Sequence, residues 1–335
     1  VTESVKNPAP EIKVIAIKLP SELQERILSF PFLHAISEFY PKADIHLITH
    51  KKEVEVLNLL PFKAYYSLYD EDEIKSVFDV HPYAANAAIY NVDLFISLTN
   101  SFADACLGLA LRAKKRVGFS DNWKTLVLNR KTTRPIGHHF VEDLWNLYEL
   151  ATGERINTRL RVSSRPLQRI IEDETPYMAI NLSPLRDAAI DDEWIELMNS
   201  FTDQKIIFFA SDEQVKMKPL MTTFCNILSR QNTYELFYYR DWIELGRMLA
   251  YSAGVITYSG ACAALSAYVG AKTIILYESE DPQKTGPFYF LSDVVVMGTN
   301  NPTLLHNTQS ESVLKDRVKF KMDEVANKAY DLFPI

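Results

Sequence analysis

Cysteine is scarce in this chain: Cys106, Cys225 and Cys262 are the only three among 335 residues. An odd number with no paired spacing excludes a disulfide framework and a zinc site of the usual spacings, so buried free thiols are expected. Long apolar runs are also absent. None approaches the roughly 20 residues of a membrane-spanning helix, and the opening VTESVKNPAP lacks the charged-then-apolar build of a secretory signal. A cytoplasmic protein is the expectation. Positive charge is in deficit, with 36 Lys and Arg against 43 Asp and Glu and a net charge of −7. That balance argues against general nucleic-acid binding. Finally, the chain has no Gly-x-Gly-x-x-Gly and no Walker phosphate loop, which argues against nicotinamide, flavin and ATPase readings.

What is present is a 47% hydrophobic composition over a length that favours two domains. Strand-like runs recur between helical ones: Ile12–Lys18, Asp44–Thr49, 64–68, Val92–Leu98 and Lys115–Phe119, then Tyr177–Leu182, Lys205–Ala210, Glu235–Tyr239, Gly254–Tyr258 and Thr273–Tyr277. This is the βαβ rhythm of mostly parallel sheets. Between the two sets, Arg155–Pro176 mixes charge, serine and proline and reads as a linker. Helical spacing covers Ser21–Tyr40 with a break or restart expected at Pro31, a segment from Lys51, Glu73–Val80, Phe102–Ala113 and Phe140–Leu150. The terminal helix Met322–Leu332 is expected to cross back to the first domain.

Several stretches carry chemistry. Ser259-Gly260-Ala261 ends an apolar strand and opens a helix almost without side chains. Two readings stay open there: backbone N–H groups facing an anion such as a diphosphate, or small residues that let the helix pack closely on a sheet. The start of the first helix, with Ser21, Glu22, Gln24 and Glu25, falls at the C-terminal sheet edge where α/β proteins bind ligands. Eight Lys or Arg lie between Arg112 and Arg134 against the single acid Asp121, a cationic stretch suited to an anionic acceptor or to a solvated face. Asp70-Glu71-Asp72 has the spacing of a metal-holding pair, but acids opening a helix are favoured by its dipole without any metal. Of His138 and His139, one is expected to cap or pack rather than catalyse.

The loop Asp281-Pro282-Gln283-Lys284-Thr285-Gly286-Pro287-Phe288 resembles the Asp-Pro-x-Arg-Thr-Gly-Pro-Tyr loop of the bacterial lipopolysaccharide heptosyltransferases, glycosyltransferase family nine, and especially the heptosyltransferase II branch. Ser259-Gly260 and the Ala-rich segment after it are similar to that family's Asp-Ser/Thr-Gly turn and helix. Asn100-Ser101-Phe102, Arg116-Val117-Gly118-Phe119, Leu128-Asn129 and His139-Phe140-Val141-Glu142 follow in matching order.

The resemblance implies an α/β protein of GT-B architecture, two Rossmann-like domains facing a central cleft. Residues 1–172 would bind the acceptor and 173–315 the nucleotide sugar, with 316–335 packed back on the first domain. It implies a sugar, heptose among the candidates, moved from a nucleotide sugar such as ADP-heptose to an anionic glycolipid of the cell surface, with peripheral contact at the cytoplasmic face of the inner membrane. Neither metal nor other cofactor is implied. Glu25 falls where the family has its catalytic Asp. Donor contacts would come from Ser183, Arg186, Tyr258, Ser259, Gly260, Ala261, Lys284, Thr285 and Gly286. Acceptor contacts would come from Ser21, Gln24, Asn100, Ser101, Lys114, Lys115, Arg116 and Lys124. Departures are also visible: Tyr258 replaces the family's Asp, Ala263 its His, and Arg186 beside Asp187 its Lys, while Glu278 and Glu280 add charge. They leave room for a non-catalytic binding or scaffold protein, or for a GT-B enzyme with another donor.

Overall fold

A computed structural model of the chain describes residues 11–70, 73–120, 126–134, 137–155, 167–171, 175–181, 192–201, 204–211, 233–277, 284, 286–287, 294–298 and 322–333. These fall into two compact units. One is built from Val1–Glu22, Ser29–Val54 and Phe62–Arg159, the other from Leu23–Leu28, Glu55–Pro61 and Leu160–Ile335.

The first unit is a parallel sheet of β1 (Val14–Lys18), β2 (Asp44–His50), β3 (Tyr65–Tyr69), β4 (Leu94–Ser97), β5 (Lys115–Phe119) and β6 (Arg130–Thr132), in the order β3-β2-β1-β4-β5-β6. That is the doubly wound Rossmann order. β1 and β4 are central, and Ile15, Ala16, Ile17, Leu94, Phe95 and Ile96 have no exposed surface. Such uninterrupted apolar strands are what a sheet covered on both faces requires. The second unit repeats the design. Its strands β7 (Tyr177–Asn181), β8 (Lys205–Ser211), β9 (Thr233–Tyr239), β10 (Gly254–Tyr258), β11 (Thr273–Tyr277) and β12 (Val294–Gly298) are all parallel, in the order β12-β11-β10-β7-β8-β9.

Several expectations need adjusting. The Ser21–Tyr40 segment is two helices, α1 (Leu23–Leu28) and α2 (Phe30–Phe39); the break falls at Ser29, and the second helix restarts with Pro31 in its first turn. Proline fits the first turn of α2, where its missing N–H costs nothing, so the break falls just ahead of it. The segment after Lys51 makes only a 3-10 turn, Val54–Leu59. The helix expected at Glu73–Val80 is α3 (Val77–Asn86), which starts late because the Asp79 carboxylate accepts from the Ser76 backbone N–H at 2.8 Å and fixes the cap there. Further along the first unit come α4 (Phe102–Ala110) and α5 (Phe140–Thr152); the second unit adds α6 (Asp192–Ser200), α7 (Trp242–Ala250) and α8 (Ala261–Tyr268).

The terminal helix α9 (Met322–Leu332), expected on the first domain, groups with the second unit. Val325, Ala326, Ala329 and Phe333 join Ile256, Ile274 and Leu276 in one core, and Lys272 Nζ donates to the Leu332 carbonyl at 2.9 Å. Gly254 makes the fit possible: a methyl at that position would sit 2.2 Å from the Phe333 ring. The unit boundary also departs from residues 172/173, because α1 and Glu55–Pro61 belong to the second unit. There α1 packs on α8, and the Tyr268 hydroxyl donates to the Leu59 carbonyl at 3.3 Å.

Candidate active site

Each sheet changes direction between its two central strands, and open α/β folds bind ligands at the carboxyl ends of those strands. In the second sheet these are β7 and β10. There Asn181 donates to the Thr257 hydroxyl at 3.1 Å, and both side chains are buried. One residue on, Tyr258 and Ser259 reach partial exposure, and the Ser259 N–H is held by the Leu276 carbonyl at 2.9 Å.

Gly260 then takes φ 131°, a backbone conformation that side chains resist, and α8 begins at Ala261 with no side-chain cap. With the cap position empty of side chain, the first N–H groups of α8 are left to a ligand or to solvent. Both readings of the sequence therefore have a share in this segment. Ser259, Gly260 and Ala261 are accessible, whereas Ala263 and Ala264 are buried, Ala263 against Ile275 and Tyr277. Position 263 is a packing position here, and it offers no polar contact.

Gln24 and Glu25 stand in the first turn of α1, partly exposed, on the helix that packs against α8. The structure thus brings the helix of Glu25 alongside the helix opened by Ser259-Gly260. Lys284 is exposed and Gly286 buried. Ser183, Arg186, Lys124 and Thr285 lie outside the described residues.

In the first sheet the corresponding strand ends are those of β1 and β4, joined where the Leu98 N–H donates to the Lys18 carbonyl at 3.0 Å. Asn100 is exposed beside them. Ser101 caps α4, its hydroxyl accepting from the Asp104 N–H at 3.3 Å. Ser21 is exposed in the loop after β1.

Beneath these residues lies a polar network that the sequence reading missed. Lys18, 2% exposed, donates to the Tyr69 hydroxyl at 2.7 Å and to the Leu19 carbonyl at 3.1 Å, and stands 3.6 Å from the Asp104 carboxylate. Its ammonium lies 4.3 Å from the Tyr69 ring centre, and Asp104 accepts from the Thr99 hydroxyl at 2.7 Å. The available signal was a lysine closing the otherwise apolar strand IKVIAIK, at the edge where ligands bind. By holding Leu19, it steadies the strand end that leads into Ser21.

The remaining acceptor candidates are elsewhere. Lys115 and Arg116 begin β5, with Lys114 just before it, at the amino edge of the first sheet, opposite Asn100 and Ser101. Lys114 pairs with Asp93 at 2.6 Å, Lys115 donates to the Ala151 carbonyl, and Arg116 donates to the Val127 and Ala113 carbonyls at 2.7 and 2.8 Å. A charge-rich stretch of sequence does not say which end of a strand it occupies.

His139 is buried and caps α5, its ring nitrogen accepting from the Val141 N–H at 3.1 Å. That is the structural role expected for one of the two histidines. Asp70 pairs with Lys51 at 2.6 Å, and among the described residues no three His, Cys, Asp or Glu are grouped to hold a metal ion. Cys106 and Cys262 are free thiols; Cys225 lies outside the described residues. Among the described residues no helix is long and apolar enough to cross a membrane.

Residues 87–314 match the sequence profile of glycosyltransferase family 9 (heptosyltransferase). No curated protein sequence matches the chain significantly. Among solved structures, a glycosyltransferase of family 9 from Veillonella parvula superposes with a TM-score of 0.72 at 16% identity, over 95% of this chain and 96% of that one. E. coli heptosyltransferase WaaC with ADP gives 0.70 at 15% identity, over 95% and 99%. E. coli ADP-heptose lipopolysaccharide heptosyltransferase II gives 0.65 at 14% identity, over 96% and 98%. At such identities the likeness speaks for the fold, which is that of the GT-B glycosyltransferases.

Proposed function

Because the chain belongs to glycosyltransferase family 9, we propose that this glycosyltransferase moves a sugar from a nucleotide-sugar donor, with ADP-heptose the first candidate, to a glycolipid acceptor of the lipopolysaccharide type. The observation that carries the reading is the family match over residues 87–314, which spans the accessible Ser259-Gly260-Ala261 turn. Among the solved structures with this fold, WaaC was solved with ADP and heptosyltransferase II is named for ADP-heptose, which supports an adenine nucleotide as the first to test.

The chemistry follows from the residue types. Glu25 takes the proton of an acceptor hydroxyl, whose oxygen forms the new bond to the anomeric carbon as the bond to the diphosphate breaks. The departing diphosphate gathers charge, which the N–H groups opening α8 and the cations Lys284 and Arg186 are suited to stabilise without a metal. Ser21, Asn100 and Ser101 are acceptor candidates at the strand ends of the first sheet, and Gln24 is a candidate in the first turn of α1. In this reading the protein works at the cytoplasmic face of a membrane that holds its acceptor.

A second reading has its own observation. By the resemblance of the sequence, Tyr258 and Ala263 stand where the family would carry Asp and His, and Ala263 is buried against Ile275 and Tyr277. That favours either a different donor, with Tyr258 stacking on a base or sugar, or a binding protein without turnover. Calorimetric titration with ADP, UDP, GDP and CMP, then ADP-heptose and UDP-sugars, with and without magnesium, separates the readings. Selective, magnesium-independent binding of ADP and ADP-heptose supports the proposal, and another preferred nucleotide moves the donor. No binding by a folded sample makes the non-catalytic reading the better one.

A further inference from the structure

The amino edge of the first sheet holds a cavity of about 910 Å³ whose lining includes Lys42, Lys114, Lys115, Asn129 and Arg130 and one carboxylate, Glu11. Its charges do not cancel. Lys114 is matched by Asp93 at 2.6 Å, and Glu11 lies 3.9 Å from Lys13. Lys42, Lys115 and Arg130 have no carboxylate partner among the described residues.

The most confined of the three is Lys115. Its ammonium donates to the Ala151 carbonyl, which also accepts from the Tyr40 hydroxyl at 3.0 Å, at the carboxyl end of α5. Partial burial and the neighbouring Arg130 guanidinium both push its pKa down. The Ala151 carbonyl answers Lys115 in part, but Lys42 and Arg130 beside it leave the concavity with an excess of positive charge, and an anion of more than one charge relieves that excess. In a chain with a net charge of −7, this accumulation runs against the overall balance. Arg130 supplies a planar two-donor fork and Lys42 a movable point charge, both exposed, while Lys115 is partly buried.

We infer that this cavity binds a phosphate-type dianion: a phosphate monoester or diphosphate, either free or carried on a lipid headgroup. It lies at the strand edge opposite Asn100 and Ser101 and does not depend on the sugar-transfer reading.

The test uses the full chain at low salt. Inorganic pyrophosphate is titrated by calorimetry, and vesicles of phosphatidylcholine with and without phosphatidic acid are used in a sedimentation assay. The Lys42→Ala/Arg130→Ala double variant changes only exposed side chains, and Lys63→Ala, an exposed lysine of the same unit outside the cavity, is the control. Loss in the double variant, by about tenfold or more, of a pyrophosphate-binding component that the control retains supports a free phosphate ligand. Loss of phosphatidic-acid-dependent vesicle binding in the same variant supports a headgroup. The inference is overturned if the protein binds neither probe, or if the double variant binds both as the wild type does. Circular dichroism of the variants excludes misfolding as the cause.

Discussion

Replacing Asp104 by alanine tests whether the buried network at the end of β1 stabilises the first unit through charge. The variant leaves the Lys18 ammonium 2% exposed with two neutral acceptors, the Leu19 carbonyl and the Tyr69 hydroxyl, and removes the carboxylate 3.6 Å away. Removing one partner of a buried pair costs about 3–5 kcal/mol, because the remaining charge is desolvated without compensation. The separation here exceeds that of a direct charged hydrogen bond, so the lower end, about 3 kcal/mol, applies.

Asp104 also stands in the first turn of α4, where losing a negative charge costs about 0.3–1 kcal/mol more. At roughly 2–4 °C per kcal/mol for a unit of this size, the melting temperature should fall by about 6–16 °C. Urea denaturation read by tryptophan fluorescence and circular dichroism supplies the free energy. The decisive comparison is a double-mutant cycle with Lys18→Met, in which the Asp104→Ala/Lys18→Met double variant should cost at least about 1.5 kcal/mol less than the sum of the two single changes. A loss below about 1 kcal/mol for Asp104→Ala, or strict additivity in the cycle, would refute the argument that these charges depend on one another.

The remaining predictions concern chemistry, acid stability and packing. If Glu25 is the base, Glu25→Gln abolishes sugar transfer while nucleotide affinity stays within about twofold; transfer at the wild-type rate removes Glu25 from the mechanism. Burial raises the Asp93 pKa, but Lys114 and the N–H groups of Lys13 and Val14 outweigh it, so the net displacement is below the ordinary 3.8. The folded state therefore gains from the ionised carboxylate above 3.8 and loses that gain as pH falls through the lower folded value. Acid titration should show Asp93→Asn with a shallower loss of stability in that window than the wild type, and parallel curves would contradict the assignment. Gly254→Ala should destabilise the second unit by about 1–3 kcal/mol, since its methyl would overlap the Phe333 ring, and Phe333→Val should restore part of the loss. A neutral Gly254→Ala in a urea titration would mean that the end of α9 yields freely.

The parallel rhythm was legible because the central strands are apolar on both faces, as Ile15–Ile17 and Leu94–Ile96 are, and because Ser259-Gly260 marks a strand-to-helix turn without needing its surroundings. β6 escaped notice because Arg130–Thr132 is three polar residues whose strand geometry comes from pairing with Val117–Phe119. The site was legible in pieces. Helical spacing placed Glu25 in a first turn, but nothing local says that its helix packs on α8. The cationic stretch was visible as composition, yet its position at the amino edge depends on where β5 begins. Lys18 looked like an ordinary strand end because its partners Tyr69 and Asp104 come from other βα units. In each case, what the sequence withheld is a long-range pairing.

The membership of α1 in the second unit has a consequence for how the chain matures. Leu23–Leu28 leaves the ribosome early, yet α8, the surface it covers, is made only after four strands of the second sheet. The first unit can therefore begin to close while this early helix waits without its partner, and the second unit is completed by reaching back to chain already synthesised. A fragment started at residue 160 would lack both α1 and Glu55–Pro61 and leave the apolar face of α8 bare. Expressed alone, such a fragment should aggregate, and adding the early segments back as peptides should rescue it better than lengthening the linker.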